Sequence, residues 1–106
     1  MVKFINSDLE TYLQGYLKKI NITEEDLDNV KSLNINSFDL SGNYISNSLE
    51  DLNLFKNLKK LKISNYVLNR ENINIIDSLK GIEDYIFYKC DIKDMLEISR
   101  KKYYNI

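Results

Sequence analysis

No histidine, proline, tryptophan or alanine occurs among the 106 residues of this chain, and it holds one cysteine and three glycines. Two of these shortages remove chemistry. Without imidazole there is no histidine general base, no Ser-His or Cys-His nucleophile pair and no histidine-bearing zinc site. A single thiol cannot close an internal disulfide or build a multi-thiolate metal centre. Neither sign of charge dominates: 15 basic residues face 16 acidic ones, for a net charge of −1 and a pI near 5.4. The whole molecule therefore exerts no general attraction on nucleic acid or an anionic membrane. No run approaches the ~18 apolar residues of a membrane span. Met1 to Asp8 carries one lysine and then turns polar, unlike the apolar core of a secretory signal. The expectation is a soluble cytoplasmic protein with a reduced thiol.

What is present is a large stock of branched aliphatics, 14 leucines and 14 isoleucines, together with 8 tyrosines. A chain of this length makes one domain and buries enough surface for an ordinary core. Carboxylates, lysines and tyrosines would be left to carry catalysis, and any protein surface offers these. Composition thus points to a non-enzymatic binding protein without cofactor or metal.

Internal repetition organises the sequence. Three segments align: Val30 to Leu40, Leu58 to Leu68 and Ile82 to Ile92, offset by 28 and 24 residues. Each carries apolar or aromatic residues at relative positions 1, 4, 6, 9 and 11. The connecting pieces match as well, because Leu49, Leu52, Phe55 and Leu58 step by three, as do Ile73, Ile76, Leu79 and Ile82. Such stepping suits short helical stretches that turn one face inward.

The pattern resembles the leucine-rich repeat, L-x-x-L-x-L-x-x-N/C-x-L, over roughly residues 22 to 92. At the ninth position stand Phe38, Tyr66 and Cys90, of which Cys90 alone is a usual occupant. The resemblance implies an α/β fold: a short capped solenoid with a small parallel sheet on its concave face and helices on the convex side. Residues 1–29 would form a helical N-terminal cap, 30–92 about three repeats, and 93–106 a C-terminal cap and basic aromatic tail.

Within the N-terminal part, Ser7 and Glu10 have capping-box spacing, and Leu9, Leu13, Tyr16, Leu17 and Ile20 recur on one face of a helix to about Lys19. Thr23 then caps a second, shorter helix with acids in its first turn. This arrangement is similar to the N-terminal caps of internalin-like bacterial leucine-rich repeat proteins. At the other end Met95, Leu96 and Ile98 suit a closing helix, followed by Arg100, Lys101, Lys102, Tyr103 and Tyr104.

Stacked coils would place Leu33, Ile35, Leu61, Ile63, Tyr85 and Phe87 inside, and alternate residues outward. The outward row is then Ser32, Asn34 and Asn36, beside Lys60, Lys62 and Ser64, beside Asp84, Ile86 and Tyr88. Ile86 and Tyr88 stand out as an apolar pair on a face that is ordinarily polar. Lys60, Lys62, Asp84, Ile86 and Tyr88 are accordingly the candidate partner-binding residues, and the candidate partner is another protein bound through the concave sheet.

A small bacterial or mobile-element binder of this kind would act by occlusion, as an immunity protein or an inhibitor of a defence complex. The short stack leaves self-association open, through an end or an exposed strand. An alternative is a nucleic-acid-associated module using Lys56, Lys59, Lys60 and Lys62 with the basic tail. Cys90, at an inward repeat position, reads as a buried structural thiol. Glu24, Glu25, Asp26, Glu50 and Asp51 read as acids at helix starts.

Overall fold

The computed structural model describes residues 2–37, 49–92 and 103–105 of the chain. Phe38, Leu40, Met95, Leu96, Ile98, Arg100, Lys101 and Lys102 lie outside them, so the expected closing helix and the ninth position of the first segment do too.

Helix α1 spans Ser7–Leu17 and α2 spans Glu24–Asp28. A 3-10 helix covers Glu50–Leu54, and α3 covers Arg70–Ser78. The strands are β1 (Ser32–Asn36), β2 (Lys60–Ser64), β3 (Val67–Leu68), β4 (Asp84–Tyr88), β5 (Asp91–Ile92) and β6 (Tyr103–Asn105). The result is a mixed α/β domain built on a parallel sheet of order β1-β2-β4-β6, with β3 and β5 paired in a second small parallel sheet.

Register follows the repeat alignment residue for residue: Ser32 pairs with Lys60 and Lys60 with Asp84, Leu33 with Leu61 and Leu61 with Tyr85. The reason is side-chain period. Leu33, Ile35, Leu61, Ile63, Tyr85 and Phe87 are all buried, and a slip of one residue would turn this whole set toward solvent. Residues that step by three complete the opposite wall of the core. Leu49, Leu52, Phe55 and Leu58 are buried, as are Ile73, Ile76 and Leu79, and Ile82 packs partly against them. The first of these sets runs through a 3-10 helix, with Leu49 and Phe55 as its two caps and Leu52 inside it, and in such a helix residues three apart eclipse one another.

The later two segments repeat in backbone as well as in pattern. Asn65 (φ 60°) and Lys89 (φ 52°) both adopt the left-handed conformation one residue past a five-residue strand, and β3 and β5 then follow at matching places. The Asn65 N–H donates to the Tyr88 carbonyl at 2.9 Å and the Asp91 N–H to the Tyr66 carbonyl at 2.9 Å, so one turn is stitched to the next. Ser37, which precedes the undescribed residues, is buried and donates its hydroxyl to the Asn65 carbonyl.

Gly81 (φ 85°) makes the turn from α3 into β4. An added Cβ would meet only the end of the Lys59 side chain, 3.6 Å away, so alanine there is penalised by backbone strain rather than by lack of room. Gly81→Ala is expected to lower stability by about 1 kcal/mol in urea titration, and an unchanged midpoint would contradict this account of the turn.

Several local expectations are corrected. Asn6, not Ser7, caps α1: its Oδ1 accepts from the Asp8 and Leu9 N–H groups at 3.0 and 3.3 Å. Helix α1 stops at Leu17 because Lys18 turns left-handed (φ 56°). Ile20 is thereby thrown off the helix and is 82% exposed; Tyr16, stacked on Tyr12, is 57% exposed. Thr23 caps α2 as expected, with Asp26 completing a reciprocal box. Hydrogen bonds from Lys19 and Thr23 hold the Asp26 carboxyl at about 2. Tyr103–Asn105 is not a free tail but the strand β6, parallel to β4 with Tyr103 opposite Tyr85, and its two tyrosines suit a strand.

Candidate functional site

Three parallel strands, each alternating buried and more exposed residues, present a row of side chains on the face away from the core. Ser32, Asn34, Lys60, Lys62, Asp84 and Ile86 from this row line an open groove of about 440 Å³, floored partly by Leu33 and Leu61. Four of the five candidate residues, Lys60, Lys62, Asp84 and Ile86, are thus brought together.

Tyr88 lies one pair further along β4, outside the groove lining. Its ring has the Lys62 Nζ at 5.5 Å from the centroid and the Lys89 Nζ at 5.3 Å. Lys62 arrives diagonally, since it pairs with Ile86 and not with Tyr88. Lys89 arrives because its left-handed backbone folds the chain back after the strand. Tyr88 therefore acts as a seat for two ammonium groups, each attracted by the negative face of the ring. Ile86 and Tyr88 are half-buried, and the strongly exposed large apolar residues among those described are Ile5, Tyr16 and Ile20 near the N-terminus.

The face is open at the N-terminal ends of the strands, where Ser32 and Lys60 are exposed, and closes toward their C-terminal ends. Ser64, in the outward row, is only 4% exposed. Beside it the Asn65 amide donates to Asn36 Oδ1 at 3.1 Å, which ties the end of β1 to the turn after β2. Of the expected outward row, Ser32, Asn34, Lys60, Lys62, Asp84 and Ile86 line the groove, whereas Ser64 is buried.

The lysine cluster divides between surfaces. Lys60 and Lys62 line the sheet groove, whereas Lys56 lines two clefts away from it, one with Lys80, Ser78 and Phe55 and one with Lys3, Glu24 and Asp28. Lys60 is in register with Asp84, but among the described residues no ion pair joins the two side chains.

Cys90 is half-buried rather than fully buried, and it packs against the core. Its thiol donates to the Ile63 carbonyl of the preceding unit at 3.3 Å. Burial pushes its pKa up, against smaller opposing effects of neighbouring backbone groups. Because the thiolate is the reactive form, Cys90 is expected to label at least about tenfold more slowly in the native protein than in denaturant; equal rates would contradict this placement. The equivalent Tyr66 is wholly buried, and among the described residues its hydroxyl has no hydrogen-bond partner. Burial raises its pKa above the usual tyrosine value, followed by the nearby charges of Asp8 and Cys90.

Two residues that sequence reasoning missed frame the face. The Lys89 ammonium is one. The other is Tyr12 of α1, whose hydroxyl donates to the Asn34 carbonyl at 2.9 Å. The turn position of Lys89, matching Asn65, was the available signal for the first; nothing in the repeat pattern marks the second.

Among the described residues no group of histidine, cysteine and carboxylate side chains is arranged to hold a metal ion, and no helix is long and apolar enough to cross a membrane. No family model, curated protein or solved structure matches the chain.

Proposed function

We propose that the chain is a non-enzymatic protein-binding module, a short capped leucine-rich-repeat solenoid whose exposed sheet face receives another protein. The observation that carries this reading is the groove of about 440 Å³ spanning three strands, with Ile86 set among Lys60, Lys62 and Asp84. The 24-residue spacing of the left-handed positions Asn65 and Lys89 supports the repeat, as does the bond from Cys90 to the preceding unit. The setting we propose is the bacterial cytoplasm and the mode occlusion: an immunity protein, or a mobile-element inhibitor of a defence complex, needs only a rigid face that covers a partner's working surface. Division of the lysine cluster between separate surfaces favours this reading over a nucleic-acid-associated one, which would want its cations along one track.

The test starts by recovering the partner with the wild-type chain, then measuring affinity and melting for each variant. Ile86→Asp and Tyr88→Ala are expected to weaken capture about tenfold or more while the thermal midpoint stays nearly unchanged. Lys62→Glu is expected mainly to slow association and alter its salt dependence. Normal binding by these variants, with capture abolished at Lys101 or Lys102, would transfer the function to the C-terminal segment.

A further inference from the structure

We infer that the segment seated on the sheet face is an acidic peptide stretch of another protein with an aliphatic or aromatic residue at its centre; this rests on the protein-binding reading above. Charge complementarity carries it. Two ammonium groups, those of Lys60 and Lys62, line the groove against the single carboxylate of Asp84, and a third, that of Lys89, sits over the neighbouring Tyr88 ring. Among the described residues none of the three is held in an ion pair, although the chain as a whole is −1. Tyr88 holds Lys62 and Lys89 over its ring at 5.5 and 5.3 Å, which reduces the side-chain freedom a partner would otherwise have to freeze out.

The apolar element of the occupant follows from Ile86, whose side chain is on this face; Leu33 and Leu61 also line the groove, but their side chains are buried in the core. Carboxylates at either side of a central Leu, Ile or Phe would meet the lysines while that side chain covers Ile86. Ser32 and Asn34 supply hydrogen-bonding groups along the β1 side. A basic segment would meet three like charges. A single-stranded nucleic acid would also meet the lysines, but it binds such faces by stacking bases on free aromatic rings, and the Tyr88 ring is already occupied by two ammonium groups.

The experiment selects from a random dodecapeptide display library on the immobilised full chain. The enriched peptides are then synthesised, mapped by backbone amide shifts, and titrated against wild type, the Lys60→Glu/Lys62→Glu double variant and Lys80→Glu. Expected are net-negative peptides with a central aliphatic or aromatic residue that shift the Asn34, Lys62 and Ile86 amides. They should lose about tenfold or more in affinity on the double variant and little on Lys80→Glu, which lines a different cleft. Enriched peptides that map to the same amides but are basic or uncharged would overturn the acidic occupant and leave the face as a binding surface. Peptides that map elsewhere, or no enrichment at all, would overturn both. An oligothymidylate of matched length that binds the face more tightly than the selected peptides would replace the peptide with nucleic acid.

Discussion

Leu61→Asp is expected to abolish cooperative folding. Leu61 is 1% exposed in β2, the strand between β1 and β4, where it pairs with Leu33 on one side and Tyr85 on the other. Among the described residues no lysine or arginine is buried in the core to pair with the new carboxylate, which must either ionise there or stay protonated at a cost. Either course costs several kcal/mol, a large part of the roughly 5–15 kcal/mol by which small domains are stable. Loss of the lateral contacts also unpins the register on both neighbours. Circular dichroism during urea titration should show no sigmoidal transition for Leu61→Asp, whereas Leu61→Met should cost less than about 1.5 kcal/mol. A soluble Leu61→Asp variant that melts cooperatively near the wild-type midpoint would mean that Leu61 is not in the core.

The second large effect is expected at Asp51. This carboxylate is 3% exposed, and its two oxygens accept from the Ile5 N–H at 2.9 Å and the Asn6 N–H at 2.8 Å. Removing it strands two backbone donors and frees the segment that delivers Asn6 to the start of α1. Hydrogen bonds to a charged group contribute about 1.5–3 kcal/mol each, and stranded donors add their own desolvation cost, so Asp51→Ala should lose about 3 kcal/mol. Asp51→Asn keeps one acceptor oxygen and should lose less. Chemical denaturation of the three proteins separates these outcomes; a loss under about 0.5 kcal/mol for Asp51→Ala would show that the N-terminal segment is not anchored there.

The two sites also mark where the sequence was readable. Leu61 belongs to a pattern of period two repeated at fixed offsets, so burial, strand direction and register all follow from alignment with Leu33 and Tyr85. The candidate face was legible for the same reason, since Lys60, Lys62, Asp84 and Ile86 are the residues between the buried ones. Asp51 was read as an acid at a helix start, which its place in the 3-10 helix allows. Its partners lie 46 and 45 residues away, and no local pattern reports them.

Elsewhere the same division holds. Asn6 displaced Ser7 as the α1 cap because two candidate caps stand side by side, and the one anchored through its backbone to Asp51 prevails. Ser64 was placed outward by alternation, yet its burial depends on how the strand ends are covered, which period alone does not encode. Strand β6 was missed because Tyr103–Asn105 is too short to show alternation and lies outside the repeat.

The hydroxyl that Tyr12 places on the Asn34 carbonyl has a consequence for how copies of this chain could meet. Strand β1 ends the order of the main sheet, and an end strand with open backbone groups is a template for another chain. Growth of a fibre by head-to-tail addition requires two receptive ends, one to accept each new subunit and one to be accepted. With the Asn34 carbonyl already accepting from Tyr12, a further strand could add beside β1 only by giving up that hydrogen bond, so the helix guards this edge of the sheet.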